Sequence, residues 1–140
     1  MKVLIVDDEQ PARERLRQIL DDEPDYEVIG EAANGHEALE VASHTHPDIV
    51  LLDIRMPGMD GITTIGHLQK DHPEIAIVIL TTFNEDEMML RGLQAGARGY
   101  LLKGADPEET VRAIQSVANG AAIFSPKVAK RLITYFGRHQ

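Results

Sequence analysis

The sequence IVLLDIRMPGMDG spans residues 49–61 and combines an apolar run, one acidic residue and a loop. Four apolar residues precede Asp53, and proline and glycine punctuate the segment that follows it. An apolar run of this length, bounded by turn residues, is typical of a strand that is buried on both faces. We therefore expect the Asp53 carboxylate to emerge where the strand ends, at a solvent-facing edge of a sheet.

The composition of the whole chain favours one globular domain. Its 140 residues are 43% hydrophobic and 26% charged, which is ordinary for a single core. No apolar run approaches the ~20 residues that span a bilayer, and acidic residues at 7–9 interrupt the apolar start too early for a signal peptide. The absence of cysteine excludes disulfides and thiolate chemistry and suits a reducing compartment. We expect a cytoplasmic protein without a membrane partner.

The net charge of −9 argues against nucleic-acid binding by this chain alone. Neutralising phosphates requires clustered lysine and arginine side chains, and the cationic residues here are mostly scattered. Any role in DNA regulation would therefore depend on an effector domain outside this chain.

Strand and helix patterns alternate along the sequence. Strands are predicted at residues 2–6, 26–32, 49–52, 75–80 and 98–102, and helices at 10–21, 36–44, 61–70, 85–95 and 107–118. Strict alternation with short connections predicts an α/β fold with a doubly wound, five-stranded parallel sheet. The flavodoxin-like strand order 2-1-3-4-5 is expected, with a further C-terminal helix at 127–136.

In such a sheet, the carboxyl ends of all strands meet at one edge. The first strand delivers Asp7 and Asp8, the third Asp53, the fourth Thr81 and the fifth Lys103, while the second strand delivers no comparable side chain. Because strands one and three are neighbours in the expected order, the three carboxylates should lie together. They would repel one another unless a cation joined them.

Oxygen ligands favour a hard metal ion. A site with only a few protein carboxylates, completed by water, suits Mg²⁺. A lysine amine and a threonine hydroxyl on the far side complete a cradle for a small tetrahedral oxyanion. Aspartate can act as a nucleophile for phosphoryl transfer while metal and lysine offset negative charge. The pattern therefore indicates phosphoryl chemistry on a carboxylate.

These residues resemble the receiver domains of two-component response regulators. The matching features are the acidic pair after strand one, Asp53 followed by MPGMDG at 56–61, Thr81, Tyr100 and Lys103. The resemblance covers residues 2–120, which is most of the chain. It implies a signalling module that catalyses only its own Mg²⁺-dependent phosphorylation and dephosphorylation and is not otherwise an enzyme.

The resemblance also assigns a role to each metal-binding and phosphoryl-binding position. Asp53 would be the phosphoacceptor and would share Mg²⁺ with Asp8, a direct ligand. Asp7 would lie close behind and reach the metal through water. The backbone carbonyl of Arg55 would be a further metal ligand.

On the opposite side of the site, the resemblance implies a switch. Thr81 would bond a phosphoryl oxygen, and Lys103 would pair with Asp53 or its phosphoryl group. Tyr100 would turn inward as Thr81 shifts toward the phosphate. Gly104 departs from the family pattern, because many receivers have proline there, often after a cis bond.

Two later segments, GYLLKGADPEE at 99–109 and GAAIFSPKVA at 120–129, look like the NarL/LuxR-type subfamily. We expect a receiver at residues 1–120 and, at 121–140, a linker helix that leads toward a helix-turn-helix effector absent from this chain. A piece of a longer regulator is favoured over a stand-alone receiver.

The implied partner is a sensor histidine kinase. Homodimerisation on activation would suit two-fold DNA sites.

Three other functions compete with this interpretation. Aspartyl-phosphate phosphohydrolases usually place their nucleophile in a D-x-D pattern after the first strand, whereas here the isolated aspartate follows the third. A nucleotide or flavin carrier would need a glycine-rich first turn, and this one is acidic. A degenerate receiver that serves only as a scaffold is disfavoured by the complete set of acidic, threonine and lysine residues.

The histidines show no spacing typical of a zinc site, and Asp60 is more typical of a helix N-cap than of a ligand.

Overall fold

A computed structural model describes residues 1–56, 58–81, 86–120 and 123–124 of the chain. The strands are β1 Lys2–Val6, β2 Glu27–Ala32, β3 Ile49–Asp53, β4 Ala76–Thr81, β5 Gly99–Leu102 and β6 Ile123–Phe124. The helices are α1 Gln10–Asp21, α2 Gly35–Thr45, α3 Gly61–Asp71, α4 Asp86–Ala95 and α5 Pro107–Ala118. None of these helices is both long and apolar enough to cross a bilayer.

The strands form one parallel sheet with the order β2-β1-β3-β4-β5-β6. The predicted doubly wound fold and the flavodoxin-like order of its five strands are confirmed. The two-residue strand β6, which the sequence pattern did not predict, pairs with Gly99 and Tyr100 at the β5 edge. The predicted helix at 127–136 lies outside the described residues.

Side chains of strands β1 to β5 alternate between two apolar layers. Leu52 packs with Ile65 of α3 on one face of the sheet. Leu51 packs on the other face with Leu16 of α1 and Ile114 of α5. Full burial of one such side chain stabilises the fold by about 1.5–3 kcal/mol. A central strand whose side chains pack into both layers therefore needs apolar residues at successive positions. This requirement explains the unbroken apolar run of β3, in which every residue is buried.

The loop after β3 folds back against the end of that strand. The Gly61 N–H donates to the Ile54 carbonyl at 3.2 Å, and a Cβ at Gly61 would lie 2.6 Å from the Ile54 Cα. Glycine is therefore required where α3 begins. Asp60 is its N-cap, as predicted, because its carboxylate accepts the Thr63 N–H at 2.7 Å. Asp106 is the N-cap residue of α5 but makes no side-chain capping bond.

Candidate functional site

The three predicted carboxylates meet at the carboxyl edge of the sheet. Val6 of β1 is paired with Leu52 of β3, so Asp7 and Asp53 follow at the same level on neighbouring strands. One carboxylate oxygen from each of Asp7, Asp8 and Asp53 lies within 4.8 Å of the others. Asp7 and Asp53 are buried, whereas Asp8 is exposed. The structure thus brings together the acidic residues that the sequence pattern placed at this edge.

The amine of Lys103 lies between two of these carboxylates. Its Nζ is 2.9 Å from Oδ2 of Asp7 and 2.9 Å from Oδ2 of Asp53, and the contact with Asp53 has the angles of a hydrogen bond. The backbone positions this lysine, because its N–H donates to the Thr81 carbonyl at the end of β4. The second oxygen of Asp53 accepts the Arg55 N–H at 3.1 Å.

The pKa values of the acid and the amine both respond to this arrangement. Burial raises the pKa of Asp53, while hydrogen bonds from Lys103 and from the Arg55 backbone lower it and the charge of Asp7 raises it further. Burial alone would lower the pKa of Lys103, but its contacts with Asp7 and Asp53 outweigh burial and raise it. Lys103 is therefore a cation at neutral pH. One ammonium group pairs with two of the three acidic residues, which leaves room for further positive charge.

The donor set fits Mg²⁺. All side-chain donors are carboxylate oxygens, one of them on an exposed residue that can share the ion with water. Oδ2 of Asp7 is buried, and no described hydrogen-bond donor reaches it at a bonding angle. The Lys103 ammonium forms an ion pair with this oxygen but is shared with Asp53, so a metal cation or water held on one would complete the coordination of Asp7.

The residues expected to act as a switch lie on β4 and β5. Thr81 ends β4 with 1% of its surface exposed, and Tyr100 is equally buried in the apolar layer that contains α2 and α3. Tyr100 thus occupies an inward position. Among the described residues no peptide bond is cis, and Gly104 adopts a φ of +85°, which glycine tolerates readily.

Among the described residues, the second strand contributes no carboxylate to the acidic cluster, but it is connected to that cluster through arginines of α1. Glu31, near the end of β2, accepts hydrogen bonds from Arg13 at 3.1 Å and from Arg17 at 2.8 and 3.0 Å. Arg13 also donates to the Asp7 carbonyl at 2.6 Å, so the second strand is linked to the acidic edge. The i, i+4 spacing of the two arginines was the available signal in the sequence.

Comparison with known proteins establishes what this architecture is. Residues 3–115 match the response regulator receiver domain. The chain belongs to the response regulator receiver family. This match covers β1 to α5 and therefore includes every strand end that contributes to the acidic site.

Individual relatives and solved structures show which members of the family the chain resembles. The chain is 40% identical over 131 residues to the transcriptional regulatory protein YdfI of Bacillus subtilis (strain 168), covering 94% of this chain and 61% of that protein. A solved two-component response regulator of the LuxR family from Aurantimonas sp. SI85-9A1 has 34% identity and a TM-score of 0.90, with 96% of each chain covered. The signal receiver domain of NarL from Mycobacterium tuberculosis has 34% identity and a TM-score of 0.81, covering 85% of this chain and 96% of that one.

These findings confirm the NarL/LuxR-type resemblance, and YdfI is by its name a transcriptional regulatory protein. The chain spans about three fifths of the length of the curated relatives it matches.

Proposed function

We propose that this receiver accepts a phosphoryl group on Asp53 from the phosphohistidine of a sensor histidine kinase in the cytoplasm. The observation that supports the proposal most directly is the position of Lys103, whose Nζ lies 2.9 Å from both Asp53 and Asp7. A buried carboxylate beside a fixed cation, with two more acidic residues within reach, is suited to receive a group with several negative oxygens.

In the proposed transfer, a carboxylate oxygen of Asp53 donates an electron pair to phosphorus. The new O–P bond forms as the P–N bond of phosphohistidine breaks, and its electrons return to the imidazole nitrogen. Lys103 offsets charge on the transferring oxygens, and the Thr81 hydroxyl donates to one of them. Asp7, Asp8, Asp53 and the Arg55 carbonyl would hold Mg²⁺, which supplies charge neutralisation when bound. Water attack on phosphorus later breaks the O–P bond and restores Asp53.

The output follows from a shift between two packings of one face. Phosphorylation would draw Thr81 toward the phosphoryl group and hold Tyr100 in the inward position that it occupies in this structure, so that one packing of the α4, β5 and α5 surface is favoured over the other. Such a change shifts a pre-existing equilibrium rather than creating a new fold. An effector domain outside this chain would then bind DNA, with homodimerisation of the activated regulator bringing two effectors to a two-fold site.

Mass spectrometry after treatment with acetyl phosphate tests the proposal. We expect the wild-type chain to gain one phosphoryl group with Mg²⁺ and none with EDTA, because the acidic site needs the cation. Asp53→Asn should gain none. Asp48→Asn is the matched control, since Asp48 accepts the Lys2 N–H away from the acidic site and its loss should leave phosphorylation unchanged. An equal gain of a phosphoryl group in Asp53→Asn would exclude this assignment.

A further inference from the structure

Asp8 reaches the acidic site with an exposed side chain whose position depends on its backbone. The peptide unit that joins Asp7 to Asp8 contains the Asp7 carbonyl, which accepts a hydrogen bond from Nη1 of Arg13 at 2.6 Å. The peptide unit after it carries the Glu9 N–H, which donates to Oδ1 of Asp7 at 2.9 Å. Hydrogen bonds therefore fix both peptide planes that flank Asp8, and Arg13 donates one of these bonds.

Arg13 can fix that carbonyl because its guanidinium is itself held. Its Nε donates to Oε1 of Glu31 at 3.1 Å, while Arg17 occupies the other oxygen of the same carboxylate. Glu31 pairs with Ile5 in the sheet, two residues before Asp7. A planar guanidinium presents its donors in a rigid fork, so it fixes the relative position of two acceptors more firmly than the rotatable ammonium of a lysine does. The Arg13 side chain, only 17% exposed, thus connects a rigid strand to the loop that carries Asp8.

Charge alone does not explain an arginine beside a cation site. A guanidinium placed near a divalent ion repels it, and the Glu31 carboxylate offsets that repulsion at close range. The useful contribution of Arg13 is therefore geometric.

We infer that Arg13 and Glu31 form a clamp that positions Asp8 to bind Mg²⁺. The inference rests on the proposed function, which assigns Asp8 as a metal ligand. Arg13 contacts neither the ion nor the transferring group in this scheme, so it is a positioning residue. Partners that orient metal ligands from outside the coordination sphere typically contribute 10–100-fold to metal affinity.

Mg²⁺ titration of the unphosphorylated chain, followed by NMR of the backbone amides, tests the clamp without any phosphodonor. The chain has no tryptophan to report on binding, which makes NMR the suitable method. We expect Arg13→Met to raise the Mg²⁺ dissociation constant about tenfold. Loss of a positive charge would by itself tighten binding, so geometry and electrostatics predict opposite signs.

Arg17→Met is the matched control. It removes the same charge from the same carboxylate, but Arg17 bonds to Glu31 and not to the Asp7 carbonyl. Its Mg²⁺ affinity should not fall, because loss of a positive charge alone can only tighten cation binding. Glu31→Gln should weaken binding in the same direction as Arg13→Met, but loss of its negative charge acts in the same direction, so Arg13→Lys, which keeps the charge and loses the planar fork, provides the second test if Arg13→Met folds poorly. Arg13→Lys should restore affinity only in part.

Phosphorylation by acetyl phosphate supplies an independent readout. The Arg13→Met variant should react slowly at limiting Mg²⁺ and at the wild-type rate when Mg²⁺ is saturating, because the reacting groups are intact. Equal Mg²⁺ affinities of the wild type and both Arg13→Met and Glu31→Gln would overturn the clamp alone. A wild-type chain without any Mg²⁺-dependent amide shifts would overturn both the clamp and the proposed function.

Discussion

Lys103 Nζ and Asp53 Oδ2 lie 2.9 Å apart at the end of two strands that are separated in the sheet by β4. The carboxylate is 7% exposed and the lysine 22%, so the pair is shielded from water on most sides. Lys103 is at the same distance from Asp7, which makes one ammonium group the partner of two buried acids. The pKa of Asp53 therefore depends on the charges of both Lys103 and Asp7.

We predict that Asp53 titrates above the ordinary aspartate value of about 3.9 when Mg²⁺ is absent. Burial raises its pKa, and the opposing bonds from Lys103 and Arg55 reduce the shift without cancelling it. Lys103→Met removes one of those bonds and should raise the pKa further. NMR titration of the Asp53 carboxyl carbon in EDTA measures both values. A midpoint at or below the ordinary value in the wild type would contradict the prediction.

The same shift predicts how Asp53 affects stability. Because folding raises its pKa, the folded chain binds this proton more tightly than the unfolded chain does. The contribution of Asp53 to the free energy of unfolding must then decrease as pH rises from about 3.9 to the raised folded pKa. At neutral pH in EDTA, Asp53→Asn should be more stable than the wild type in urea denaturation.

Adding Mg²⁺ should stabilise the wild type more than Asp53→Asn if the acidic residues bind it. Free Mg²⁺ at ten times its dissociation constant stabilises the folded wild type by about 1.4 kcal/mol. Asp53→Asn should gain less because it has lost one proposed ligand, and Asp48→Asn should gain as much as the wild type. Urea denaturation with and without Mg²⁺ compares the three chains. Equal stabilisation of the wild type and Asp53→Asn would remove Asp53 from the metal site.

Two glycines of α3 should respond in opposite directions to alanine. A Cβ at Gly61 would lie 2.6–3.0 Å from the backbone of Ile54, which cannot move without disturbing the end of β3. We expect Gly61→Ala to destabilise the domain by about 1–3 kcal/mol. Gly66 has no atom within 4 Å of such a Cβ, and Gly66→Ala should stabilise the helix by about 0.5–1 kcal/mol. Thermal denaturation of both variants tests this contrast.

The fold and the acidic edge could be predicted because their signals are local. The apolar run before Asp53 indicates a buried strand on its own, and parallel topology then gathers Asp7, Asp53 and Lys103 at one edge without further information. Strand β6 was not predicted because two residues are too short to show a pattern.

The Arg13–Glu31 contact was not predictable in the same way. It joins residues 18 positions apart, and its geometry depends on how α1 lies across β2. The bond from Arg13 to the Asp7 carbonyl depends in addition on the orientation of one peptide plane, which side-chain patterns do not encode. Sequence patterns thus identified the groups proposed to react but not the contacts that hold one of them in place.

Beryllofluoride, a phosphoryl mimic, should shift the NMR signals of Thr81 and Tyr100 because both are buried where the proposed switch operates. The ring pair of His46 and His72, with centroids 6.2 Å apart, supplies an internal reference outside the acidic cluster, and its signals should stay in place. Asp53→Asn should show neither response, since it lacks the carboxylate that the mimic must join. Unchanged Thr81 and Tyr100 signals in a wild-type chain that binds beryllofluoride would separate phosphorylation from the proposed repacking of α4, β5 and α5.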